Sequence, residues 1–395
     1  MKHFKKSRCS KRAAGFFVGK NFSAASEKFA CTFAVLYNDA EIFYQIQEEM
    51  FLERYEHGGQ VYDATGNAGD WLDFSANINP LGLSKKILQA LTENLRGVVN
   101  YPDPQATELT RAICRRYSVH EENLILLNGA AEFFYLYLNA TRPEKVLLPV
   151  PSFAEYERAA RAVGCDVKFF VTNAAENFSV NIDKLIDTAK NFDCVIIGRP
   201  NNPTGNLISA KKILRLAEVT SVVVDESFID FTDVESVRKF ASEKISVVQS
   251  LTKIFAIPGL RLGFAVVEKN LATRLNLSKD VWNVNFLAQK AGAAALSDEE
   301  FLQRTLAWLD VEKKFFVERL KNLRGVKVFP PTVNFVLLEL NSVDAAEKVL
   351  KSLRAEKILL RSCANFAGLD GSFLRTAIRS RDENLSLLNA LEKVL

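Results

Sequence analysis

The chain has 395 residues, 48% hydrophobic and 25% charged, the balance of a globular protein with material for one large and one smaller domain. Its formal net charge is +4, and residues 1–49 hold eight Lys/Arg against five Asp/Glu, so the body is near neutral and no nucleic-acid or membrane surface is expected. No apolar run reaches membrane-spanning length, and the six cysteines (9, 31, 114, 165, 194 and 363) form no C-x-x-C pair, which predicts reduced thiols in a cytoplasmic protein without disulfides or a metal site.

The first twenty residues, MKHFKKSRCSKRAAGFFVGK, carry seven basic residues and no acid. Their apolar patch is short for a signal core and has no convincing cleavage site after it. Methionine occurs only at positions 1 and 50. Residues 1–56 therefore read as a weakly structured extension, with translation starting at or near Met50.

From residue 100 onward, short apolar segments alternate with amphipathic ones. The predicted strands lie in NLILLNG (123–129), KVLLPVP (145–151), CVIIGRP (194–200), SVVVDES (221–227), ISVVQSLTK (245–253) and RLGFAVV (261–267). Helical spacing fills intervals such as 209–218. This rhythm predicts an α/β domain with a mostly parallel central sheet flanked by helices. Beyond about residue 290 the pattern changes. A long helix over 298–322 leads to GVKVFPPTVNFVLLEL, a helix near 344–354, ILLRSCANF and FLRTAIRS, a smaller α+β C-terminal domain.

Ligands of parallel sheets collect at the carboxyl ends of the strands. There the sequence places Asn128-Gly129, Pro151-Ser152-Phe153, Asn201-Asn202-Pro203, Asp225-Glu226 and Ser250-Leu251-Thr252-Lys253. A desolvated lysine loses its proton more readily and becomes a nucleophile toward aldehydes. An aspartate at a neighbouring strand end could hold a charge against a protonated pyridine nitrogen, which is what pyridoxal phosphate requires of a protein. Asn202 could donate to the ring oxygen, and Phe153 could offer a face for stacking. The segment NGAAEFFYLYL suits a phosphate nest at a helix N-terminus, with Ser250, Thr252 and Arg261 completing the cradle. Glu226 and Cys363 read as structural, and His3 and His120 as surface residues.

RPNNPTG, VVVDESF, SLTKIFAIPGLRLG and LRTAIRS together resemble the aspartate-aminotransferase-like, fold type I pyridoxal-phosphate enzymes. With HGG, LDFSANINPLG, YPDP and ILLRSCANFAGLD the resemblance narrows to the threonine-phosphate decarboxylases of cobalamin biosynthesis, with histidinol-phosphate aminotransferases as near relatives. It implies an arm at 57–100, a large cofactor-binding domain at 101–290 and a small domain at 291–395. It further implies that Lys253 carries the cofactor, Asp225 pairs with the ring nitrogen, and Gly129, Ala130 and Ala131 form the phosphate loop. Tyr101 would reach the cofactor phosphate of a neighbouring subunit, hence a homodimer. His57, Asn79, Arg361 and Arg375 would bind a small phosphorylated amino acid. Two positions depart from the aminotransferase pattern. Phe228 stands where a tyrosine is usual, and the phosphate loop G-A-A-E lacks a hydroxyl residue.

Overall fold

The computed structural model describes residues 57–395. The expected extension and its start at Met50 lie outside the described residues. Strand β1 (Leu72–Asp73) is followed by seven strands that build the central sheet. These are β2 (Leu124–Leu127), β3 (Lys145–Val150), β4 (Asp166–Val171), β5 (Cys194–Gly198), β6 (Ser221–Asp225), β7 (Ile245–Ser250) and β8 (Gly263–Val266), ordered β2-β8-β7-β6-β5-β3-β4. β8 alone runs against the direction of the other six strands.

The near-continuous apolar runs have a simple cause, because both faces of the sheet are covered. Alternate residues of one strand enter different cores. Val222 and Val224 pack with Val195, Ile197 and Val247, whereas Val223 packs with Ile196 and Val248. The sequence reading omitted β4. Its residues DVKFFV form an edge strand exposed at Asp166, Lys168 and Val171, so no uninterrupted apolar run marks it.

The C-terminal part adds β9 (Val326–Val328), β10 (Phe335–Leu340), β11 (Ile358–Leu359), β12 (Arg361–Ser362) and β13 (Phe373–Ala377). Four of these form an antiparallel sheet in the order β12-β13-β10-β9. The helix Glu299–Lys321 starts at the side-chain cap of Asp298, and Arg381–Val394 starts at a capping box of Ser380 with Glu383. The segment ILLRSCANF splits between partners: β11 pairs in parallel with β1, and β12 pairs with β13. The arm is thereby sewn to the C-terminal part, with Leu72 N–H donating to Lys357 O and Ala377 N–H to Phe74 O. The division expected between 290 and 291 falls inside the helix Phe286–Leu296, and residues 57–395 form one compact unit.

Candidate active site

The parallel strands deliver their polar tails to one end of the sheet, and antiparallel β8 begins at that same end, two residues after Arg261. Lys253 follows β7 by three residues. Its Nζ donates to Ser250 Oγ at 3.1 Å, and that hydroxyl lies 2.7 Å from Thr252 Oγ1. Desolvation lowers the Lys253 pKa from 10.5 to about 8, against the opposing pull of Asp225 and with added repulsion from Arg261 and Arg375. Residues separated by more than a hundred positions are therefore electrostatic neighbours of one amine.

Asp225 ends β6 and is buried. Its Oδ2 accepts from Tyr156 Oη at 2.7 Å, and its Oδ1 accepts from Ser227 N–H at 2.9 Å. Glu226 points elsewhere. It forms a 2.5 Å ion pair with Arg199, the two side chains being 0% and 1% exposed. Ser236 and the Val237 N–H also donate to Glu226, while Arg199 donates to Ile208 O and Glu235 O. Arg199 N–H donates in turn to Asp225 O at 2.7 Å. This saturated pair ties the Asn201-Asn202 loop to the end of β6, which is a structural role for Glu226. The sequence reading passed over Arg199 and Tyr156.

Gly129 has φ +83, and any side chain there would collide with the Arg261 guanidinium. The helix Ala131–Thr141 begins after Ala130 without a side-chain cap. Behind this loop, Glu132 accepts from Asn128 N–H at 2.7 Å and from Asn283 Nδ2 at 3.1 Å. The result is a short turn with a guanidinium above it and a helix N-terminus opening from it, a geometry suited to an anion.

Arg361 and Arg375 stand directly opposite each other on β12 and β13, and both are buried. Arg375 donates to Asn202 Oδ1 and, at 2.6 Å, to Ser75 O. Its Nε is buried without a hydrogen-bond partner. Burial first, and the Arg361 charge after it, lower the Arg375 pKa to about 10 against the opposing pull of Cys363 and Asp73. Arg361 donates to Asn365 Oδ1 at 2.6 Å. Cys363 between them is buried, and burial raises its thiol to about 11. Two like charges facing each other across a strand pair repel. Nearby, Asn77 Oδ1 is another buried atom without a partner, a residue the sequence reading did not single out.

Other expected residues have partners of their own. Phe153 precedes the helix Ala154–Ala162, with the His57 ring 5.3 Å away and the Tyr156 ring edge-on at 5.6 Å. His57 Nε2 is engaged by Glu155 Oε1 at 2.8 Å. Asn79 is redirected: its Nδ2 donates to Ile254 O and Thr305 Oγ1, both at 2.8 Å, and its Oδ1 accepts from Leu81 N–H. Its own N–H bonds Lys253 O at 3.1 Å. With its amide spent in this way, Asn79 braces the Lys253 segment from behind. Tyr101 is 77% exposed and stacks on Trp282 at 4.4 Å. Phe228 is buried edge-on against Phe335, which itself lies 5.6 Å from the Arg375 guanidinium.

Residues 69–391 match the family model described as aminotransferase class I and II. The threonine-phosphate decarboxylase of Salmonella typhimurium is 35% identical over 354 residues, 86% of this chain and 96% of that protein. The crystal structure of L-threonine-O-3-phosphate decarboxylase from Porphyromonas gingivalis superimposes with TM-score 0.73 and 30% identity, covering 81% of this chain and 98% of the other. The histidinol-phosphate aminotransferase from Clostridium acetobutylicum gives TM-score 0.76 and 34% identity, with the same coverage.

Proposed function

Because this chain belongs to the class I and II aminotransferase family, we propose that it is a pyridoxal-phosphate-dependent carboxy-lyase. Its substrate is L-threonine O-3-phosphate, and its products are carbon dioxide and (R)-1-amino-2-propanol O-2-phosphate, in cobalamin biosynthesis. The observation that carries this reading is the cross-strand pair Arg361 and Arg375 beside a desolvated Lys253. A substrate with both a carboxylate and a phosphate suits two buried guanidiniums. The 35% identity to a threonine-phosphate decarboxylase over nearly its whole length supports the same choice.

The residues present fit the cofactor. Gly129, Ala130 and Ala131 turn into a helix N-terminus under Arg261, and the hydroxyls of Ser250 and Thr252 stand beside Lys253. When bound, pyridoxal phosphate supplies an electron sink for the pair left when a bond at the substrate Cα breaks. Asp225 would set its charge against a protonated ring nitrogen. Phe153 would give the ring a face, and Asn202, whose Oδ1 is taken by Arg375, would have its Nδ2 left for the ring oxygen. Phe228 brings no hydroxyl to that oxygen, so Asn202 acts there without a phenol. Lys253 presents a neutral amine and afterwards carries protons at its Nζ. Arg361 and Arg375 hold the substrate's two anions, which sets the Cα bond that breaks. His57, held by Glu155 beside Phe153, is the candidate for a further contact to the substrate phosphate from the N-terminal arm.

Loading of the stripped protein follows from the Lys253 shift. The reactive form is the neutral amine, which is half populated near pH 8 and scarce below it. The rate of cofactor uptake, followed by absorbance, is expected to rise with pH and level off above about 8. A rate still climbing toward the ordinary lysine value of 10.5 would contradict the desolvated amine.

The assembly is a homodimer of a cytoplasmic enzyme, with Tyr101 reaching the neighbouring subunit's cofactor phosphate. Leu95, Val98, Val99, Tyr101, Val281 and Trp282 are exposed, a concentration of apolar side chains that favours burial against a second copy. Among the described residues, no helix is long and apolar enough to cross a membrane. Val99 is 85% exposed, so Val99→Asp is expected to leave the fold intact and shift sedimentation toward the monomer. An unchanged dimer would place the interface elsewhere.

The deciding assay is carbon dioxide release from L-threonine O-3-phosphate. Robust amine transfer from histidinol phosphate to 2-oxoglutarate, without such release, would favour the aminotransferase reading that the Clostridium acetobutylicum structure supports.

A further inference from the structure

We propose that Tyr156 is a positioning residue that fixes the orientation of the Asp225 carboxylate, an inference that rests on the cofactor reading above. Tyr156 Oη donates to Asp225 Oδ2 at 2.7 Å, while the other oxygen takes the Ser227 N–H at 2.9 Å. Donors on both oxygens stop rotation of the carboxylate about its Cβ–Cγ bond. The carboxylate is thereby held in one orientation, which a ring nitrogen placed before it would meet without reorganisation. A charge fixed in this way would favour the protonated ring nitrogen that the electron sink needs.

Tyr156 reaches this position through local structure. It lies one helical turn after Phe153, its N–H donates to Phe153 O at 3.1 Å, and its ring meets Phe153 edge-on and Phe134 at 4.8 Å. One side chain therefore touches both the residue that offers a ring face and the residue that offers a charge. Burial, then the Asp225 charge and its hydrogen bond, raise the Tyr156 pKa well above 10. The phenol remains a donor at every working pH. Close approach is also built into β5. A side chain at Gly198 would press on Asn201 Oδ1 at 2.9 Å and on Tyr156 Oη at 3.4 Å.

A residue that merely packs would tolerate Tyr156→Phe, which keeps the ring contacts and removes only the donor. The experiment measures pyridoxal phosphate affinity of stripped protein by absorbance titration. It compares wild type, Tyr156→Phe, Asp225→Asn and the double variant. Tyr156→Phe is expected to weaken binding about tenfold, the scale of a hydrogen bond to a charged group, and to shift the visible band of the bound cofactor. In the Asp225→Asn background the same change is expected to add nothing, because the charge through which Tyr156 acts is gone. Equal losses in both backgrounds, or no loss in either, would overturn the inference and leave a packing role. If Tyr156→Phe alone fails to fold, Asp225→Asn and the double variant still decide, since neither buries a carboxylate without its donor. A further loss in the double variant overturns the proposal. Failure of the wild type to take up cofactor would defeat the cofactor reading first, and this inference with it.

Discussion

Lys253→Ala is expected to lower decarboxylation of L-threonine O-3-phosphate by about a thousandfold or more, the scale of a lost positioned proton-transfer group. The variant also loses the amine that desolvation brings to about 8 beside Asp225, Arg261 and Arg375. The phosphate cradle at Gly129 and Arg261, the Phe153 face and the Asp225 charge all remain. The variant is therefore expected to bind pyridoxal phosphate weakly and without a covalent bond. Borohydride treatment of loaded wild type should leave the cofactor attached to Lys253 and to no other lysine, as read by peptide mass. In Lys253→Ala no lysine should be labelled. Substantial turnover by the alanine variant, or reductive labelling elsewhere, would remove Lys253 from the centre of the mechanism.

The second large effect is assigned to Arg375. Its guanidinium is buried, lies opposite Arg361, and is braced by the neutral acceptors Asn202 Oδ1 and Ser75 O. No carboxylate is among the hydrogen-bond partners of Arg375 in the described residues, and its Nε is free. Charge left available in this way suits a bidentate anion. Arg375→Ala is expected to weaken productive binding of the substrate by about 2–5 kcal/mol, the range for losing one desolvated charged contact. The visible band of the cofactor on Lys253 should hardly change. Arg375→Lys should rescue little, because a point charge lacks the planar fork. Unphosphorylated threonine should release little carbon dioxide from wild type, since it offers no second anion. Equal rates on threonine and its phosphate would refute the two-anion site.

Much of this architecture was legible because it is local. The strands β2, β3, β5, β6, β7 and β8 are short apolar runs, and each carries its polar tail in the next few residues. A run of this kind is buried wherever a sheet is covered on both faces, so its position can be read without a partner. β4 escaped for the converse reason: an edge strand with solvent on one side mixes Lys168 with Phe169 and Phe170, and the mixture has no strong period. Tyr156 could have been found. It stands three residues after Phe153 at the start of a helix, the spacing that places two side chains on one face.

The amino-acid sequence by itself determined the alternation of strand and helix, the strand-end clusters and the segment that presents Lys253. Each follows from the preferences of neighbouring residues. Only the tertiary structure decided which groups meet. Tyr156 bonds a carboxylate 69 positions away, Arg375 reaches a carbonyl 300 positions away, and Arg361 faces Arg375 because β12 and β13 pair in one particular register. The same holds for Asn79, whose amide turns toward Ile254 and Thr305 and so supports Lys253 from behind. Side chains choose partners by distance in space and by unmet hydrogen bonds in a buried site. Neither quantity exists until the chain has closed on itself.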